Sequence, residues 1–535
     1  MTTALSRPVS SLSGKLAGAI GRRLAVRTAH RLAAQGDGTA AQESVFARLV
    51  PALAPTAFGR EHGLEAGLPY EHFRARIEPR GYEGFAPYIE RMKRGEADIL
   101  HPGRCAHFAV SSGTTAGPSK WLPVNAAMLA HFRDAGLDSL FFYALRTGRG
   151  SVFRGRHLFL GGSTGLMPVP GVTPPIHSGD LSGITALNLP WWAEHQLYEP
   201  GREIARLENW PEKVRAIAER TWNRDITLVA GIPSWLLVLA TAVRETAARR
   251  GGRRPETLAE LWPNLECLIH GGVPVEPFAE ELRRAFGDGV RRHEVYPASE
   301  GFIAAQDTES SGLRLLADHG IFYEFVPFAD YDESDPVRTA ARAVPLAGVR
   351  PGVDYVLLMT TPAGLVRYAI GDLVRFVSLE PPRLVYVGRT KLQLSAFGEH
   401  VIEKEITDAL AAACRAHGVS VENFHVAPLF PAAGTRAVGR HEWWIEFRGP
   451  APEAVELERF AAALDRELLA LNDDYAGKRH GGGLDTPRVR PVSAGGFERW
   501  LKRAGKWGGQ HKTPRCRSDR QVADALALAV DFPQQ

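Results

Sequence analysis

Several short segments carry side chains able to manage phosphate, metal or ribose oxygens. Ser111-Ser112-Gly113-Thr114-Thr115-Ala116-Gly117-Pro118-Ser119-Lys120 is a small, hydroxyl-rich stretch directly after the apolar run Phe108 to Val110. Its glycines let backbone N–H groups approach anionic oxygens, its hydroxyls add donors, and Lys120 adds a positive charge. The spelling is not that of a Walker loop, because Pro118 stands five after Gly113 and no Gly-Lys-Ser/Thr follows. A surface turn has the same composition. Tyr296-Pro297-Ala298-Ser299-Glu300-Gly301 and Arg367-Tyr368-Ala369-Ile370-Gly371-Asp372 each set one carboxylate beside glycine at the end of an apolar run. Such a carboxylate can hold Mg²⁺ through hard oxygen coordination or accept from both hydroxyls of a ribose; a cap or turn residue is the plain alternative. Near the C-terminus Gly508-Gly509-Gln510-His511-Lys512-Thr513-Pro514-Arg515 places a lysine in a glycine-rich segment that also reads as a solvated basic tail.

A competing chemistry is spelled at Gly161-Gly162-Ser163-Thr164-Gly165, the G-x-S-x-G of a nucleophile elbow, with His270-Gly271-Gly272 resembling an oxyanion-hole segment. The mechanics disagree. An elbow leads straight into a helix and the oxyanion segment precedes it, whereas Pro168, Pro170, Pro174 and Pro175 follow Ser163 and His270 comes later.

These segments need a scaffold. From about residue 100 to 300, short apolar runs at Phe108 to Val110, His157 to Leu160, Ile226 to Ala230 and Cys267 to Ile269 read as strands, and helices fill the intervals. This is an α/β pattern. After residue 385 the order becomes strand Leu384 to Val387, helix Val401 to His417, strands Val421 to Val426 and Trp443 to Phe447, helix Ala454 to Leu471 and a strand near Val489, the order of a split βαβ unit. Ile402, Ile406 and Leu410 on the first helix, and Leu457, Phe460, Leu464, Leu468 and Leu471 on the second, form stripes that should pack on a sheet. The division falls near Gly388.

Composition bounds the partners. The 535 residues allow two or three domains at about 150 residues each. With 44% hydrophobic and 23% charged residues the chain can bury an extended core, and a net charge of +4 is too small over this length to build a nucleic-acid field. Cys105, Cys267, Cys414 and Cys516 show no paired spacing, which points away from a zinc ribbon or redox dithiol and toward reduced thiols in the cytoplasm. Ile226 to Val243 is uncharged and nearly long enough to span a bilayer, but Gly231, Pro233 and Ser234 break it into a strand, a turn and a helix capped near Ser234. The first 35 residues are basic and Ala-rich, with Leu16, Ile20 and Leu24 at helical spacing, and read as a surface helix.

Taken together and in order, the segments resemble the acyl-adenylate-forming superfamily, and within it the Gretchen Hagen three family of auxin-responsive acyl acid amido synthetases and their bacterial relatives. The likeness runs from about residue 40 to Cys516. Ser111 to Lys120 resembles the family's phosphate loop, Gly161 to Gly183 its Gly-Gly-Ser-Thr-Gly and Gly-Asp-Leu-Ser-Gly run, and Gly271-Gly272-Val273 the adenine-flanking turn. Tyr296 to Glu300 and Tyr368 to Asp372 resemble further nucleotide motifs, Gly388-Arg389-Thr390-Lys391 the hinge, and Gln510 to Cys516 the C-terminal lysine motif. Ala116, Pro297-Ala298 and Ala369 depart from the usual spelling, while Glu300, Asp372 and Lys512 retain their charges.

The resemblance implies an α/β fold with a large, multi-subdomain N-terminal domain over residues 1–387 and a small, mobile α+β domain over residues 388–535 that carries Lys512. It implies ATP-dependent adenylation of a carboxylic acid and transfer of the acyl group to an amine, expected to be an amino acid, with an acyl-CoA synthetase or a non-catalytic nucleotide-binding module as alternatives. Ser111, Ser112, Gly113, Thr114, Thr115, Gly117, Gly271, Gly272, Val273, Tyr296, Ser299, Asp372, Arg389 and Lys391 would bind the nucleotide. Lys512 and Glu300 would act in catalysis, Glu300 as the ligand of Mg²⁺. Leu166, Met167, Trp191, Trp192, Trp235 and Leu236 are candidates for the apolar wall around the acid. The expected partners are the acid and an amine, with neither nucleic acid nor membrane.

Overall fold

The computed structural model describes residues 12–111, 120–207, 209–272, 275, 278–390, 393, 394, 396, 397, 399, 401–430, 439–480, 484–504 and 513–529. Its backbone is a twelve-stranded mixed sheet. Tyr198–Glu199, Arg156–Phe159, Ile226–Ala230, Cys267–Gly271 and Arg291–Ala298 run parallel as the α/β part. Ile226–Ala230 is buried at every residue, as expected of a strand covered on both faces, which is why its sequence is an unbroken apolar run. From Arg291–Ala298 the sheet continues through antiparallel neighbours: Gly301–Ala305, Leu313–Leu315, Pro382–Arg389, Tyr368–Leu379, Asp354–Thr360, Phe322–Pro327 and Val344–Pro345. A separate four-stranded sheet holds Lys120–Val124, His107–Ser111, His177–Gly179 and Met167–Pro168. The fold is mixed α/β, as the sequence implied.

The C-terminal part has its own three-stranded sheet, Val421–Leu429, Arg440–Phe447 and Asp485–Val492. Ile406, Leu410, Leu457, Phe460, Leu464 and Leu468 cover one face. Gly496–Arg503 and Gln521–Ala529 cover the other through Phe497, Trp500, Val522 and Leu526. The expected split βαβ order is corrected at its first member. Pro382–Arg389 pairs with Tyr368–Leu379 and Leu313–Leu315 in the large sheet, where Phe376, Leu384 and Val374 share one core. Ile402 also leaves its stripe and packs on Val326, Val356, Leu358, Leu373 and Val387 of the large sheet; Leu471 is exposed.

Two local expectations change. The helix after Ile226–Ala230 is Pro233–Gly251, with Ile232 in the capping position and Pro233 in the first turn, where a missing N–H costs nothing, so Ser234 is not the cap. The N-terminal helix Leu12–Ala33 packs through Ala25, Thr28 and Leu32, while Ile20 and Leu24 face outward. Gly21 sets this face, since a Cβ there would lie 2.3 Å from Phe153 Cδ2. No helix among the described residues is long and apolar enough to cross a membrane.

Candidate active site

Asp372 and Arg389 are direct partners across Tyr368–Leu379 and Pro382–Arg389, so the register itself sets their ion pair, with Arg389 Nε 2.9 Å from Asp372 Oδ1. The other carboxylate oxygen accepts from Tyr296 Oη at 2.5 Å. Gly371, at φ 86°, makes the left-handed turn into Asp372 that a residue with a Cβ rarely adopts. Tyr386 and Arg389 lie three positions apart, which in a regular strand puts them on opposite faces. Both nevertheless meet this site, because the register slips between Leu373 and Val374 where the ladder passes from Gly388 to Tyr386. The Tyr386 ring stands edge-on to Tyr296 with centroids 5.7 Å apart.

Glu300 occupies the turn between Arg291–Ala298 and Gly301–Ala305, next to Ser299. Tyr368 Oη donates to Glu300 Oε1 at 3.2 Å and accepts from Lys120 Nζ at 3.3 Å. Lys120 is the first residue of Lys120–Val124 and pairs with Ser111, so the two strand ends bracketing the hydroxyl-rich loop open beside Glu300. The carboxyl of Glu300 is pushed above its ordinary range by burial, against the pull of the Lys120 and Arg389 charges. Burial and the Asp372 charge raise Tyr296, and burial and Glu300 raise Tyr368, so both phenols stay protonated donors. Asp372 above all holds Arg389 in its charged form.

Two glycine turns lie at the C-terminal ends of parallel strands, the edge at which α/β sheets bind ligands. Gly271-Gly272 ends Cys267–Gly271 beside Val295, one residue before Tyr296. A Cβ on Gly271 would come within 2.2 Å of the Val295 carbonyl oxygen, so only glycine fits. The second turn follows Arg156–Phe159. There Ser163 Oγ donates to the Arg206 carbonyl at 3.1 Å and accepts from Gly165 N–H at 3.0 Å, and Lys213 Nζ donates to the Gly162 and Ala205 carbonyls at 2.8 and 3.1 Å. Asp180 accepts from Ser163 N–H at 2.7 Å. The serine hydroxyl thus holds the turn, and the short strand Met167–Pro168 follows where an elbow needs a helix.

The small sheet holds the chain just beyond Lys512. Val426 N–H donates to the Arg515 carbonyl at 2.9 Å and Arg517 N–H to the Val426 carbonyl at 3.1 Å, docking the tail on Val421–Leu429. Arg515 lies over the Phe424 ring at 4.7 Å and within charge reach of Glu403, and Glu403 Oε2 is 3.4 Å from Tyr386 Oη. Ser112, Gly113, Thr114, Thr115, Gly117, Val273, Lys391 and Lys512 fall outside the described residues.

The six acid-wall candidates do not share one surface. Leu166 packs on the large core, whereas Leu236, on Pro233–Gly251, is fully buried in a different core with Leu158 and Val229, and Trp235 lies at the edge of that cluster. Met167, Trp191 and Trp192 are 63%, 71% and 50% exposed. A cleft of about 770 Å³ between Trp210–Thr221 and Pro233–Gly251 is lined by Val214, Val238, Arg249 and Glu498 among others and shares no residue with the Glu300 and Asp372 group. Sequence reasoning gave no role to Tyr368, Tyr386 or Glu403. Tyr368 stands inside the Arg367 to Asp372 segment; for Tyr386 the signal is Gly388, since a glycine within a strand marks a bulge.

Family models for the GH3 family N-terminal, central and C-terminal domains match residues 32–290, 314–389 and 404–521. The chain belongs to the GH3 family. This GH3 chain is 25% identical over 567 residues to an indole-3-acetic acid-amido synthetase, GH3.8, of Oryza sativa subsp. indica, covering 92% of this chain and 90% of the relative. It is 23% identical over 543 residues to the jasmonoyl-L-amino acid synthetase JAR4 of Nicotiana attenuata, covering 90% and 91%. Its fold matches the solved AtGH3.15 acyl acid amido synthetase in complex with 2,4-DB at a TM-score of 0.72, with 17% identity over 95% of this chain and 96% of the other. It also matches a 2-hydroxyisobutyryl-CoA ligase in complex with 2-HIB-AMP at 0.57, with 15% identity and 91% of each chain covered.

Proposed function

We propose that this GH3 chain is an ATP-dependent acyl acid amido synthetase: it adenylates a carboxylic acid and passes the acyl group to an amine, an amino acid by analogy with its named relatives. The observation that carries the reading is the convergence of Lys120, Tyr296, Glu300, Tyr368, Asp372 and Arg389, drawn from four strands and one turn, into a single part-buried polar group beside the carboxyl end of Arg291–Ala298.

The chemistry follows from the charges. A carboxylate is a poor electrophile, so its oxygen first attacks the α-phosphorus of ATP, the bond to the β-phosphate breaks, and pyrophosphate leaves. The amine nitrogen then attacks the acyl carbon, AMP leaves with the bonding electrons, and the ammonium proton passes to solvent. Tyr296 and Gly272 flank adenine in this reading, and Asp372, with lone pairs left after Tyr296 and Arg389, accepts from the ribose hydroxyls. Lys120 and the loop Ser111 to Ser119 meet the phosphates. No group of three or more His, Cys, Asp or Glu able to hold a metal occurs among the described residues, but the single Glu300 carboxylate suits Mg²⁺, which commonly takes one or two carboxylates plus substrate phosphates. Bound there, Mg²⁺ would offset triphosphate charge. Lys512, one residue before the docked Thr513, would stabilise charge on the attacked phosphorus, and turning about Gly388 to Lys391 would withdraw it and admit the amine.

The test is exchange of labelled pyrophosphate into ATP with a panel of carboxylic acids. Acid-dependent exchange is expected, abolished in Lys512→Ala with AMP binding kept. AMP binding without exchange for any acid would make the chain a nucleotide-binding module.

A further inference from the structure

Phe302 lies two residues after Glu300 and opposite Pro297 in the hairpin. Pro297 has no N–H to return, and the register slips between Phe302 and Ala304, so the ladder is broken just past the Glu300 turn. The Phe302 N–H is donated sideways to His131 Nε2, at 2.8 Å. His131 is buried on Ala126–Thr147, and its Nδ1 lies 2.7 Å from the His319 carbonyl. With a donor facing Nε2 and an acceptor facing Nδ1, the ring has one satisfactory tautomer, its proton on Nδ1. The acceptor is itself fixed, because His319 Nε2 is 2.9 Å from Asp138 Oδ2, two turns along the same helix. The turn is also clamped at Gly301, where a Cβ would lie 2.3 Å from Ile321 Cδ1 and 2.9 Å from Met359 Cε.

We propose that His131 is a positioning residue for Glu300: by taking the Phe302 N–H out of the broken ladder, it fixes the turn that aims the Glu300 carboxylate. The proposal rests on the reading of Glu300 as the carboxylate that meets Mg²⁺ and ATP. His131 touches no substrate in this scheme; it acts through the backbone of Phe302.

Two amides separate the ring's functions. In His131→Gln the side-chain oxygen reaches the place of Nε2 and can still accept from Phe302. In His131→Asn the amide reaches only the place of Nδ1, keeping the bond to His319 and leaving Phe302 N–H unpaired. Exchange of pyrophosphate into ATP is measured for both against total Mg²⁺, alongside AMP binding, the thermal midpoint and hydrogen exchange at the Phe302 amide. The Gln variant should keep the wild-type Mg²⁺ requirement and a slow Phe302 amide. The Asn variant should need about tenfold more Mg²⁺, the usual scale for losing a group that orients a metal ligand, with a fast Phe302 amide and unchanged AMP binding. Equal Mg²⁺ requirements in the two folded variants, shifted or not, overturn the proposal. If the Asn variant does not fold, a raised requirement in the Gln variant with a slow Phe302 amide overturns it, and an unchanged one supports it. Wild-type exchange that ignores Mg²⁺ removes the reading of Glu300 and the proposal with it, whereas acid-dependent, Mg²⁺-dependent exchange with indistinguishable variants removes the proposal alone.

Discussion

Asp372→Asn should weaken AMP binding about 10- to 100-fold. In the folded chain one carboxylate oxygen accepts from Tyr296 at 2.5 Å and the other from Arg389 at 2.9 Å, which leaves lone pairs on both for ribose hydroxyls. The amide keeps one acceptor and turns the other oxygen into a donor, facing either the Arg389 N–H or the Tyr296 hydroxyl. It also leaves the Arg389 charge without its partner. A hydrogen bond to a charged group contributes about 1.5–3 kcal/mol, and each 1.4 kcal/mol is about tenfold in affinity. Titration calorimetry with AMP alone measures this without chemistry. Tyr296→Phe is the control: it keeps the ring and leaves the carboxylate able to accept from ribose, so affinity should change by less than about tenfold, the scale of one ordinary hydrogen bond. A folded Asp372→Asn protein that binds AMP within about twofold of wild type would show that no ribose hydroxyl rests on this carboxylate.

Other perturbations test the scaffold. Gly271→Ala drives a methyl against the Val295 carbonyl and should cost about 1–3 kcal/mol in denaturant unfolding while abolishing AMP binding; an unchanged midpoint contradicts the packing. Glu324→Ala strips the fully buried Arg367 of its ion pair, 2.9 Å long, and should cost about 3–5 kcal/mol; a loss below about 1 kcal/mol, the range of an exposed pair, contradicts it. His319 is raised to about 9, burial being outweighed by the hydrogen bonds and charges of Asp138 and Asp318. Its folded value lies above the ordinary 6.5, so its contribution is full below that value and fades as pH rises through about 9. The stability gap between wild type and His319→Gln should therefore shrink from pH 6 to 10; a constant or widening gap refutes the assignment.

Much of this was legible in the sequence. Ile226 to Ala230 and Cys267 to Ile269 read as strands because parallel strands covered on both faces must be uniformly apolar, and the helices after Val401 and Ala454 showed their stripes. Glu300 and Asp372 stand out as carboxylates beside glycine at the ends of apolar runs, whereas Tyr296 enters only through the family resemblance. Register was not legible. Nothing in Leu384 to Val387 says that its neighbours are Tyr368–Leu379 and Leu313–Leu315, so chain order alone groups the strand with the sheet that follows it. Tyr386 escaped because a bulge inverts the face on which it stands. The tryptophans were poor pointers to a pocket, since apolar type alone does not distinguish the buried Leu236 from the exposed Trp191.

Product analysis tests the central claim most directly. The protein is incubated with ATP, Mg²⁺, a panel of carboxylic acids, mixed amino acids and coenzyme A, and the products are resolved by mass spectrometry. An acid–amino acid amide formed with equal amounts of AMP and pyrophosphate is the predicted result. A thioester with no amide, or no AMP formed with any acid, would contradict it.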